Sequence, residues 1–227
     1  MNLLFLAIAP VMVIILYIYF KDKFEKEPIK FLFKNFVLGA TASILITTIL
    51  GAFLTAIYPL QDGNIFHQFI KAFFVVALVE EFSKYVIVKY YAQRNKEFNE
   101  PFDGIVYAVM VSMGFATLEN VLYTFQYGVT TGITRAFTAV PAHATFAILM
   151  GYYMGKAKFS FNKKTLNLLG LLAATVFHGA YDFFLFIDFI PGIATGAFVS
   201  LIIGIVLSNK AIKRHQLNSK FRDVDTN

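Results

Sequence analysis

The chain has 227 residues, 58% hydrophobic and 15% charged, with a mean hydropathy of +0.64. Soluble domains carry about 45–50% apolar and about 25% charged residues, so this balance points to a polytopic membrane protein. Cysteine is absent, which excludes disulfides, thiolate nucleophiles and cysteine-held metals, and the net charge of +6 bears on partners only once its location is known.

Apolar runs of about 20 residues, the length that crosses a bilayer, recur along the chain. In chain order they are 2–20, 36–58, 66–91, 104–126, 133–154, 166–187 and 190–208. The first lacks the basic leader of a secretory signal and continues for a full membrane width, so it reads as a span. The last two are separated only by "DFIP", with Pro191 expected to open the final helix. No long hydrophilic segment remains. The fold class is therefore all-α: a polytopic helix bundle of about seven transmembrane helices, one membrane-embedded domain over 1–227.

The cations orient the chain. Lys21, Lys23, Lys26, Lys30 and Lys34 follow span one, and Lys89, Arg94 and Lys96 follow span three. Lys156, Lys158, Lys163 and Lys164 follow span five, and Lys210, Lys213, Arg214, Lys220 and Arg222 form the tail. The opposite loops carry no Lys or Arg, which predicts an outside N-terminus and a cytoplasmic C-terminus. Region 1–35 then reads as a first span plus a basic cytoplasmic loop, and 209–227 as a basic cytoplasmic tail. The positive charge is a topology signal, so no nucleic-acid partner is expected.

Ionisable residues avoid the interiors of spans one, two and seven and gather in the four-helix region 66–187. They are Glu80, Glu81 and Lys84; Glu119 beside Asn120; His143; and His178 with Asp182. A charge at mid-bilayer costs about 2.5–3.5 kcal/mol on insertion scales, so such groups face a bundle interior or cavity. At about 1.5 Å per residue, Glu80 and Glu81 lie about 15 Å from the basic end, His143 and His178 about 20 Å, and Glu119 about 22 Å. At about 100° per residue, Glu80, Lys84 and Glu81 share one arc of about 100° with Lys84 between the carboxylates. His178 and Asp182 share a face, as do Phe115 and Glu119 with Ser112 and Ala116 nearby. His143 sits among Ala136, Ala139 and Ala147, small residues that let helices approach.

Each feature has a plainer reading. Glu and Lys could form a structural ion pair, and a single His could be an interhelical hydrogen bond. Asp182 could simply orient His178, and Arg135 reads as an interfacial snorkeler or a carboxylate partner. "GYYMG" at 151–155 reads as packing, and "PFDG" as a turn and helix start. Three carboxylates, two imidazoles and a Lys at matched depth exceed what packing requires.

Glutamate and histidine in a water-accessible cavity suit the activation of water. One carboxylate could take a proton while the other holds Lys84, and an imidazole could stabilise an oxyanion or protonate a leaving amine. Alternatively, His143, His178 and a glutamate could hold zinc, with another glutamate as base. No HExxH is present, so such ligands would come from separate helices. Ser83 lies about 100° from the edge of the polar wedge, with no evident partner to activate it.

"EEFSK" (80–84), "FDGIVYAVMVSMGFATLENVLY" (102–123), "RAFTAVPAHATFAILMGYYMGKAKF" (135–159) and "FHGAYDF" (177–183) resemble the PrsW intramembrane proteases, in the same order and at plausible spacing. That family belongs with the type II CAAX prenyl endopeptidases, whose motifs are EExxxR, FxxxH and HxxxN. This chain has EExxK at 80–84, FxxxE at 115–119 and HxxxD at 178–182, which favours the PrsW branch. The resemblance implies a catalytic carboxylate from Glu80 and Glu81 and a site completed by His143, His178 and Glu119; Lys84, Asn120, Asp182 and Arg135 are expected to support it. It also implies a bacterial plasma membrane location and a membrane-anchored substrate, such as a single-span anti-sigma factor cut at site 1 to begin a stress response. Whether such enzymes are glutamic or metal-dependent stays open. Intramembrane Glu and His also form proton relays, so an ion- or proton-coupled transporter is the alternative, although no internal repeat is visible. A non-catalytic scaffold of the same superfamily is a further alternative, against which both glutamates at 80–81 argue.

Overall fold

The computed structural model describes residues 2–61 and 63–222. Helix α1 (Leu3–Lys21) opens on Asn2, whose side chain accepts from the Leu4 amide at 3.0 Å. Helix α2 (Ile29–Ile57) follows a loop of residues 22–28 that is shorter than the sequence predicts. Pro28 sits at its N-cap, so Lys30 and Lys34 lie on the first helical turns and not in the loop. Helix α3 occupies residues 65–92, with α-helical Leu78–Ile87 between wide π-turns at Lys71–Ala77 and Val88–Ala92. Helix α4 (Pro101–Tyr127) starts at "PFDG": Pro101 occupies the first helical position, and Glu100 and Asp103 form a reciprocal capping box.

The predicted fifth span is interrupted. Helix α5 (Val129–Phe137) ends at Thr138, and α6 (Ala139–Lys158) begins directly after it. Helix α7 (Lys163–Phe186) precedes a turn region, and α8 (Thr195–Leu217) starts four residues after Pro191, contrary to the expectation that Pro191 opens it. Residues 209–217 of the predicted tail continue α8; 223–227 lie outside the described residues. Among the described residues there is no strand, and six helical stretches are long and apolar enough to cross a membrane. The seventh, α3, spans about 42 Å at 1.5 Å per residue but carries Glu80, Glu81 and Lys84 mid-length.

Helix α4 is central, with 72% of its most apolar window buried, against 17% for α1. It touches α6 closely because glycines face each other: a Cβ on Gly104 would lie 2.5 Å from the Gly151 carbonyl oxygen and 2.6 Å from the Gly155 Cα. This is the packing role expected of "GYYMG". At the basic end, Lys158 Nζ donates to the carbonyls of Gln93 and Asn95 at 2.7 and 2.8 Å, and Gln216 donates to that of Lys21 at 2.5 Å.

Candidate active site

Four helices bring the predicted polar groups together. Glu80, Glu81 and Lys84 stand on the α-helical part of α3, so the phase expected from the sequence holds there; the flanking π-turns shift it elsewhere. Lys84 is 1% exposed. Its Nζ donates to Glu81 Oε1 at 2.7 Å, lies 3.4 Å from Glu80 Oε2 and from His143 Nδ1, and sits 4.2 Å over the Phe115 ring. The ammonium thus sits between two carboxylates and an imidazole.

His178 Nδ1 meets Glu81 Oε1 at 2.9 Å, and its Nε2 meets Asp182 Oδ2 at 3.3 Å. Each ring nitrogen faces a carboxylate oxygen, an arrangement satisfied by an imidazole donating from both. Phe146 stacks on this ring at 4.8 Å. His143 Nε2 meets Glu119 Oε2 at 2.8 Å, and Ser112 Oγ donates to the His143 carbonyl at 3.0 Å. The two imidazole rings stand edge to face, 5.5 Å apart.

The break at Thr138 places Arg135 over this assembly. Arg135 donates from Nη2 to Glu119 Oε2 at 2.8 Å and from Nε to Asn120 Oδ1 at 2.7 Å. Asn120 in turn donates to the Ala7 carbonyl at 2.9 Å, which anchors the clamp to α1. Of the two readings for Arg135, carboxylate partner is the one the structure bears out. Ser83 has partners after all, in Ser43 Oγ at 2.5 Å, Thr47 Oγ1 at 3.0 Å and the Glu80 carbonyl at 2.7 Å. All are neutral oxygens on the α2–α3 contact, and none is a base.

A cavity of about 570 Å³ adjoins the cluster, lined among others by Glu80, Glu119, Arg135, His143, His178 and Asp182. Glu81 is fully buried and does not line it; Glu80 does. Glu119 and His178 lie eight residues from the ends of α4 and α7, about 12 Å, at the end remote from the basic loops. The sequence reading missed Phe146 as the platform for His178, although its place three residues after His143 puts both on one face.

Glu80, Glu81, His143 and His178 bring their ligand atoms within 4.8 Å of one another, and Glu81 Oε2 is buried with no hydrogen-bond partner. This donor set could hold a metal ion such as zinc. The profile described as "PrsW family intramembrane metalloprotease" matches residues 27–209. The chain belongs to the PrsW family. Among curated relatives, Protease PrsW of Oceanobacillus iheyensis is 40% identical over 82% of this chain and 83% of its own length. Protease PrsW of Geobacillus kaustophilus is 39% identical over 81% and 80%, and that of Bacillus subtilis 36% over 78% and 80%. No solved structure matches the chain. This PrsW-family protein is thus a multi-pass membrane protein with a membrane protease function.

Proposed function

We propose that the α3–α4–α6–α7 cluster is the peptidase centre and that Glu80 is its base. The observation that supports this is the convergence of Glu80, Glu119, His143 and His178 on one cavity, from which Glu81 is withdrawn. A water in that cavity would lose its proton to Glu80 while its oxygen attacks the scissile carbonyl carbon. Glu81 holds Lys84 and His178 in place. His178 Nε2, whose 3.3 Å contact with Asp182 is the looser of its two, would turn its N–H to the oxyanion, and the proton held by Glu80 passes to the leaving amine as the C–N bond breaks. Glu119, braced by Arg135, fixes the ring of His143. If a metal is resident, His143, His178 and a glutamate would hold it, His178 giving up the proton on its ligating nitrogen, and it would supply Lewis-acid activation of water.

The substrate on this reading is a membrane-anchored protein, such as a single-span anti-sigma factor cut at site 1. With the basic loops cytoplasmic, the cavity lies toward the outer leaflet, where such a cut falls. The test is cleavage of a single-span anti-sigma factor by purified protein in liposomes, with and without a chelator. Cleavage near the outer end of the substrate span is expected. Cleavage at its cytoplasmic end, or wild-type activity in Glu80→Gln, would overturn the assignment. Activity that survives complete metal removal would make the centre glutamic.

A further inference from the structure

A second group of acids lies at the opposite end of the bundle, among the basic loops. It is built by the 22–28 loop and the start of α4. Asp22, Glu27, Glu100 and Asp103 are each 3% exposed or less. Burying several carboxylates together is costly unless protons or cations offset the charge. Part of their hydrogen bonding is met: Asp103 Oδ2 accepts from the amides of Asn99 and Glu100 at 2.6 and 2.8 Å. Glu27 Oε2 accepts from the Tyr107 hydroxyl, Glu100 Oε2 from Ser219, and Glu25 Oε1 from Asn99 Nδ2 at 2.9 Å.

The remaining oxygens have no donor from another side chain, unless a proton bridges two carboxyls. Both Asp22 oxygens, Glu25 Oε2, Glu27 Oε1, Asn99 Oδ1 and Asp103 Oδ1 are buried without such a donor. The Glu27 and Asp103 carboxyls lie within hydrogen-bonding reach of each other, where one proton or one cation could bridge them, and Asp22 faces Asp103, Glu100 and the Glu27 amide. No Lys or Arg among the described residues makes an ion pair with any of them. Of the lysines nearby, Lys26 turns to the carbonyls of Tyr19 and Asp22, and Lys158 to those of Gln93 and Asn95.

We propose that these carboxylates form a divalent-cation site of the Mg²⁺ type, with Glu27 and Asp103 as direct ligands. Asp22, Glu25 and Asn99 would reach the ion through its waters. The donor set is all oxygen, which selects a hard cation, whereas the intramembrane cluster offers two imidazoles. A pair of adjacent carboxylates with further oxygens around it matches the way Mg²⁺ is held, by one or two carboxylates directly and the rest through water. Once bound, the ion would fasten the 22–28 loop to the first turn of α4, the helix that carries Phe115 and Glu119.

The test uses the full chain in detergent, stripped with chelator and then titrated with Mn²⁺ as a paramagnetic stand-in and with Mg²⁺ during unfolding. Saturable Mn²⁺ binding that persists in Glu80→Gln, with a Mg²⁺-dependent rise in the unfolding midpoint, is expected. Glu27→Gln should weaken binding by at least about 10-fold. Asp22→Asn, which removes the charge but keeps an acceptor for the Glu27 amide, should lower affinity in a protein that still folds. Three results would overturn the proposal: no saturable binding at millimolar Mn²⁺; binding that survives Glu27→Gln and Asp22→Asn but is lost in Glu80→Gln; or a Glu27→Gln protein that is more stable at every Mg²⁺ concentration, which would mean that Glu27 and Asp103 share only a proton.

Discussion

Exchanging each glutamate of the pair for glutamine separates the two roles proposed for them. Glu81 Oε1 accepts two charge-assisted bonds, from Lys84 at 2.7 Å and His178 at 2.9 Å, in a fully buried position. Bonds to charged groups contribute about 1.5–3 kcal/mol each and are about twice as strong as neutral ones. Glutamine keeps an accepting oxygen but not the charge, so Glu81→Gln should cost about 2–3 kcal/mol of stability. Glu80 has one 3.4 Å contact with Lys84, and its side chain is 11% exposed. Glu80→Gln should therefore change stability by less than about 1 kcal/mol, while the loss of a base lowers turnover by about 10²–10⁴-fold. Unfolding in a mixed-micelle titration followed by circular dichroism reads the first quantity, and peptide-bond cleavage in liposomes reads the second. A Glu80→Gln protein with wild-type turnover would refute the assignment. So would a Glu81→Gln protein as stable as wild type yet inactive, which would hand the base role to Glu81.

Removing the ammonium should be worse for the fold than removing either carboxylate. Lys84→Met leaves two buried carboxylates short of their counter-charge and should cost about 3–5 kcal/mol, part of which Glu80→Gln in the same chain restores, as a double-mutant cycle in the unfolding assay would show. Arg135→Lys should lower turnover without unfolding the protein, because a single ammonium cannot bridge Glu119 and Asn120 as the guanidinium fork does; kinetics against Arg135→Ala checks whether Lys recovers any of it. Gly104→Ala sets a Cβ 2.5 Å from the Gly151 carbonyl oxygen and should destabilise the α4–α6 contact by about 1–3 kcal/mol, read as a lowered unfolding midpoint. In chelator, stability should fall as pH rises. Burial, followed by the Asp103 charge, pushes the Asp22 carboxyl up to about 7 and the Glu27 carboxyl up to about 10, amid Glu25, Glu100, Tyr107, Lys26, Lys158 and Lys220. The folded chain thus holds protons that the unfolded chain releases from about pH 4. The stabilisation is complete below that value and is lost as pH rises through about 7 and then about 10. Unfolding midpoints across that range check the sign.

Much of the membrane architecture was legible in the chain, because the bilayer imposes a single length scale and excludes unpaired charge. Hydropathy alone located helices at 3–21, 65–92 and 163–186 to within a few residues of the predicted spans. Helix phase set Lys84 between Glu80 and Glu81, and His178 over Asp182. These are contacts within one helix, and local geometry decides them.

Only the tertiary structure decided which groups meet across helices. It paired Glu81 with His178 and Glu119 with His143, and it turned Arg135 inward by breaking the helix at Thr138. It also set Glu80, and not Glu81, against the cavity. The acids of the 22–28 loop and Asp103 give no signal in the sequence, because hydropathy counts such charges as exposed. Their burial appears only when the loop folds under α4. Sequence by itself determined that this protein carries charge inside a membrane; packing, through the rotation and breakage of each helix, determined which charges face one another and which face water.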